Sequence, residues 1–205
     1  DGGGGRAMTR QARSDNTRER VLDAALALFD ETSSVEVPVK LLGERSGVSV
    51  GSIYHHFGSV SGVAAALYSH CMGALLDHLL ESIAGAERLE AVIEKIVRSY
   101  LSWTKRNAVK ARFIHASAFA PFIGEYRAEI EKEKSDRMER LAALLHSHVG
   151  GGRVKELPFF VHEVLIIGPV AEAARRWLSG GSDADLSAAQ KHLPPRILES
   201  IRGAR

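Results

Sequence analysis

The sequence is short of several things, and each shortage closes off a class of protein. It has one cysteine, Cys71, so no disulfide can form within the chain. Tyr68, Met72 and Leu75 surround it at helical spacing and point to a buried thiol, not a reactive one. No charge sign prevails: the formal net charge is +2 and the isoelectric point is near 8.8. So weak a balance does not draw in a polyanion, and any nucleic-acid binding must come from local distribution. Apolar runs such as Val164–Val170 are too short for a membrane span, and no signal-like stretch is read at the start; a cytoplasmic setting without membrane contact is expected. The opening DGGGG is read as a flexible leader. Alternating strand patterns are missing, as are a glycine-rich phosphate loop, a GxSxG elbow and an HExxH helix, so no enzyme, cofactor or metal is called for.

What is present is the composition of a globular protein, 45% hydrophobic and 25% charged, carried by helical periodicity from end to end. We expect an all-α protein. The first helix is placed from about Asn16, with Glu19 completing a capping box, and Val21, Leu22, Ala25, Leu28 and Phe29 share one face. A second helix starts at Pro38 and ends at Gly47. A third, capped by Ser49, carries Ile53, Tyr54 and Phe57 and stops at Gly58. A fourth, capped by Ser59, runs to about Ile83. Longer helices follow at about Leu89–Lys105, Ala108–Ala118, Pro121–His148 and Pro158–Leu178. Pro169 should kink the last of these. A final helix, Leu186–Ile201, should break at Pro194 and Pro195, and Gly150–Gly152 and Gly180–Gly181 mark loops.

Two short helices joined by a glycine-containing turn form a helix-turn-helix, whose second helix reads the major groove near its amino-terminal end. That end offers Ser49, Val50, Gly51 and Ser52, short side chains that let the backbone approach; Ser52 can hydrogen-bond a base or phosphate, and Val50 can meet a thymine methyl. Tyr54, His55 and His56 follow with groups suited to phosphate oxygens. Lys40 and Arg45, basic residues of the preceding helix, complete the DNA-facing set. The paired histidines invite a metal reading, but neighbours on a helix point about 100° apart and no further ligand stands three or four residues away. Tyr54 and His56 can also be read as simple packing residues. Residues 1–58 hold seven basic side chains against eight acidic ones, so DNA affinity must rest on localised contacts. Arg6, Arg10 and Arg13 form an arm that can follow a groove or remain solvated.

The stretches RVLDAALALF (Arg20–Phe29), LLGERSGVS (Leu41–Ser49) and GSIYHHF (Gly51–Phe57) resemble the DNA-binding head of the TetR family of transcriptional regulators. Two positions depart from its usual pattern: Pro38 stands where a threonine is common, and Val60 where a lysine is common. The resemblance implies an all-helical homodimer that binds a palindromic double-stranded operator and is released by a small ligand held in the carboxy-terminal domain. The fourth helix would be the lever between the two parts.

The later helices embed aromatic and histidine residues in apolar surroundings, as a small-molecule pocket does. Tyr100, Trp103, His115 and Phe119, with Phe122, His162 and Ile166, are the candidate ligand-binding residues, each of which can equally be core. Lys105, Arg106, Lys110 and Arg112 can hold an anion or form a solvated junction. PFFVHEVLIIGPVAEAARRWLSG (Pro158–Gly180) resembles the penultimate helix of the same family, which packs against its mate in a dimer. On it Val164, Ile167, Val170, Ala171, Ala174 and Leu178 follow helical spacing and make the candidate dimer interface. The expected organisation is a flexible basic arm at 1–15, a helix-turn-helix domain at 16–66 and a helical ligand-binding and dimerisation domain at 67–205. The expected function is a ligand-responsive repressor answering to an apolar or aromatic effector. A helical enzyme using His115 or His162 as general base, and an interaction module with a degenerate head, are the rival readings.

Overall fold

The structure, a computed structural model, describes residues 3–149, 154–181 and 185–203. Among these residues there are ten α-helices and, beyond them, one 3-10 turn at Ser117–Phe119 and a lone bridge pairing Val154 with Arg202. The all-α class holds. The chain forms two compact units: residues up to His70 together with Ala116–Glu131, and Cys71–His115 together with the described residues from Lys132 onward. The stretch Ala116–Glu131, expected in the second domain, joins the first because its Phe122 is fully buried beside Ala64, Ala65 and Ile130, with the Tyr68 ring edge-on at 6.4 Å.

In the first unit α1 (Gly3–Thr32) buries Val21, Leu22, Ala25, Leu28 and Phe29, the face expected of it. It begins well before Asn16, so the capping box there is not used. Residues 6–15 contain no proline and several strong helix formers, and nothing halts the helix upstream. The side chains of Arg6, Arg10 and Arg13 lie outside the described ones. α2 (Val39–Ser46) and α3 (Val50–Phe57) are eight residues each. Pro38 caps α2 and is not its first helical residue; Leu42 and Ile53 are the buried anchors of the pair.

α4 (Val60–Ile83) has residues in both units. Its Ser59 cap accepts from the Gly62 amide at 2.8 Å. By length and composition α4 could cross a membrane, longer than the apolar runs suggest, yet 56% of its apolar stretch is buried, as in a core helix. Two helices, α7 (Pro121–Glu125) and α8 (Arg127–Val149), replace the single helix expected over Pro121–His148. The break is at Tyr126, whose backbone leaves helical geometry (φ −106°, ψ 24°) while its hydroxyl sits 2.7 Å from that of Ser59.

In the second unit α5 (Leu89–Arg106) is buried along Val92, Ile93, Ile96, Val97 and Leu101, and α6 (Ala108–Ala116) adds Phe113. α9 (Phe159–Leu178) remains helical through Pro169. α10 (Leu186–Ile201) is one helix despite Pro194 and Pro195, where a break was expected. The two prolines remove only the amides that would bond the carbonyls of Gln190 and Lys191, and Lys191 is at the surface. Packing of buried Leu186, Pro194, Ile197 and Ile201, on a helix set against α5 and α9, outweighs that loss. Arg137 of α8 is bidentate to Asp77 of α4, both bonds 2.7 Å, its guanidinium 3.5 Å from where a side chain on Gly73 would be. The Gly150–Gly152 loop lies outside the described residues.

Candidate functional site

The turn between α2 and α3 is made by three residues acting together. Gly47 takes the left-handed conformation (φ 64°) and its amide bonds the Gly43 carbonyl at 2.9 Å. A Cβ there would be strained, and it would also lie 2.8 Å from Nη2 of Arg20. Ser46 is buried because its hydroxyl donates to the Leu42 carbonyl and accepts from the Val48 amide. Ser49 then caps α3, accepting from the Ser52 amide at 3.2 Å.

Two arginines of α1 hold this arrangement from outside. Arg20 donates to the Ser46 carbonyl at 2.6 Å, at the end of α2. Arg18 donates to the His56 carbonyl at 3.0 Å, at the end of α3, and its guanidinium lies 4.7 Å from the Phe57 ring centroid. Each places a positive charge at the negative end of a helix. No pattern in the sequence marks them, since their partners are main-chain groups 26 and 38 residues away.

Of the residues expected to face DNA, Ser49, Val50, Gly51, Tyr54, His55 and Lys40 are exposed, while Ser52 and His56 are half-buried. The structure therefore gathers Ser49–His56 on the amino-terminal end and outer face of α3. The two histidine rings meet edge to face at 5.4 Å. Arg45 is exposed but already engaged, bidentate to Glu31 at 2.7 and 2.9 Å; that bond holds the Glu31 carboxyl below its usual pKa and raises that of Arg45. Among the described residues no group of three or more potential metal ligands converges.

The expected ligand residues are dispersed. Phe119 is wholly exposed and Phe122 wholly buried, both within the first unit. In the second unit Tyr100 is buried, and Trp103 borders a polar cleft with Asp77, His78 and Arg106, where Nη2 of Arg106 is 3.2 Å from Nε2 of His78. His162 is buried with Nε2 2.9 Å from the Lys155 carbonyl oxygen, a bond that ties two segments together. His115 is partly covered; burial, and then the charge of Arg175, lower its pKa, with Glu172 acting the other way. Among the described residues Ile166 alone of the set lines an apolar cleft, small at about 50 Å³, walled by Ile83, Val92, Ile96, Leu141 and Ile167, with Glu163 the one ionisable residue in that lining. Periodicity could not single out this cleft, because its walls come from four helices.

Of the expected dimer face, Val164 is 60% exposed, and Ile167, Ala171 and Leu178 are half-buried. Val170 and Ala174 do not belong to it. They continue the inner stripe His162, Ile166, Val170, Ala174, spaced by four, and the chain itself covers them completely. Phe160, 66% exposed, joins Val164 on the outer side.

Two short helices joined by a left-handed glycine, the second turned to solvent, have the geometry of a helix-turn-helix. Residues 21–67 match the family model for bacterial regulatory proteins of the tetR family. The HTH-type transcriptional regulator UidR of Escherichia coli K12 is 29% identical over 87 residues, 42% of this chain and 44% of UidR, so the chain spans less than half of the curated relatives it matches. A TetR family regulator from Marinobacter aquaeolei VT8 shares the fold at TM-score 0.74 and 14% identity, over 95% of this chain and 100% of that one. FadR of Bacillus subtilis, solved in complex with stearoyl-CoA, does so at TM-score 0.73 and 19% identity, over 89% and 98%. Residues 21–67 thus carry a DNA-binding head of the tetR type, and the chain shares the fold of TetR-family regulators.

Proposed function

We propose that this protein represses transcription by binding a palindromic operator as a homodimer, and that a small apolar or aromatic effector releases it. The observation that carries the reading is the outer face of α3, where Ser49, Val50, Gly51, Tyr54 and His55 stand exposed beside the turn that the two arginines brace. The effector would enter at the small cleft around Ile166, whose described lining is apolar apart from Glu163. The acyl chain of the stearoyl-CoA bound by FadR is one apolar shape of this kind. The outer side of α9, with Phe160 and Val164, is the surface a second copy would cover. A ligand acting in that cleft would need to favour one separation of the two heads over another. We place the protein in the cytoplasm and assign it no catalysis: the ring of His162 is tied to a carbonyl.

The test is a selection of duplexes by the full-length protein at low salt. An inverted repeat with half-sites about 34 Å apart is the expected product; enrichment of no duplex would sink the reading.

A further inference from the structure

α3 contains no arginine, lysine, asparagine or glutamine between Val50 and Phe57, and those are the side chains that make paired hydrogen bonds to guanine or adenine in the major groove. Nor do the neighbouring arginines supply them: Arg18, Arg20 and Arg45 are bound to the His56 carbonyl, the Ser46 carbonyl and the Glu31 carboxylate. The Ser49 hydroxyl accepts from the Ser52 amide to cap its own helix, which leaves it a single O–H donor. What remains for hydrogen bonding at α3 is the single groups of Ser49, Ser52, Tyr54, His55 and His56, which discriminate weakly among bases.

The surface that α3 does turn outward is uncharged and partly apolar. Val50 is 39% exposed and Tyr54 44% exposed, one turn apart on the same face, whereas Ile53 and Phe57 are buried on the other. Between them Gly51 has open space where a side chain would be, so nothing on that residue would hold the helix off the bases. The major groove has one apolar feature at the base edges, the C5 methyl of thymine.

We infer that Val50 is the main specificity-determining residue of the head and that it reads a thymine methyl in each half-site. This rests on the DNA-binding reading above. Selectivity then comes from methyl contact and not from paired hydrogen bonds to guanine, and the operator must carry thymine at the position facing Val50.

The experiment uses the full-length protein and its selected operator, with each half-site thymine replaced in turn by deoxyuridine, which lacks only the methyl. One position should weaken binding about four-fold when changed in one half-site and about sixteen-fold when changed in both. Val50→Ala should lose a similar factor on the thymine duplex and nothing further on the uracil duplex. Val50→Thr, which keeps a methyl, should retain the preference. If wild-type protein binds the thymine and uracil duplexes equally at every position, or Val50→Ala keeps the full preference, the assignment to Val50 falls while DNA binding stands. If no duplex is bound at all, both fall together.

Discussion

The two units are held by different means. In the head, α2 and α3 are eight residues each, too short to be stable alone, and single polar contacts fix them: Arg20 to the Ser46 carbonyl, Arg18 to the His56 carbonyl, Ser46 to Leu42, Ser49 to the Ser52 amide. Positive-φ glycines at 47 and 58 end the two helices. In the second unit, helices of 16 to 20 residues such as α5, α9 and α10 pack along apolar stripes, and α9 and α10 accept prolines inside them. Point contacts fix where a recognition surface stands, while distributed packing tolerates local defects such as the prolines of α9 and α10.

If that contrast is right, the second unit should be most sensitive to lost volume. Phe113→Ala, at a residue with no exposure, should cost about 3–5 kcal/mol in urea unfolding. Phe119→Ala, at a wholly exposed phenylalanine, should change stability by less than about 0.5 kcal/mol. A small effect at Phe113 would mean that the second unit is not held by its apolar packing.

The head should be most sensitive to geometry. Gly47→Ala forces a left-handed alanine against the Arg20 guanidinium, and should cost about 1–2 kcal/mol by thermal unfolding together with a clear loss of operator affinity. Stabilisation, the outcome when only unfolded-chain entropy matters, would show that the turn is not a fixed joint.

The smallest effect is on pH. Burial, then Arg175, keeps the His115 pKa in the fold below its ordinary value, so the unfolded chain takes up the proton first. Stability at His115 is therefore complete above the ordinary histidine range and declines as pH falls through that range toward the folded value. His115→Gln should flatten the urea midpoint in that window; an unchanged slope would mean that the second unit pays no electrostatic penalty there.

The same difference explains what the sequence discloses. Ser49, Ser59, Gly47 and Gly58 act on groups within four residues of themselves, and each is visible as a cap or stop. The ends of α5 and α9 follow from periodicity for the same reason. The start of α1 and the break at Tyr126 are less visible: one depends on nothing interrupting the helix, the other on a hydroxyl 67 residues away. Phe119 and Phe122 look alike in sequence, three residues apart, and only packing against α4 separates the exposed one from the buried one. His162 looks like a ligand group until its carbonyl partner is known. Val170 and Ala174 differ from Val164 only in which side of α9 faces the core.

Cys71 has its own consequence. Its thiol is fully covered on α4, and burial pushes its pKa up to about 12, so a reagent reaches a reactive thiolate only when the surrounding helices part. Being the single cysteine, it is a built-in clock for that opening: the pace at which it is modified reports how often α4 comes free, with no engineered label needed.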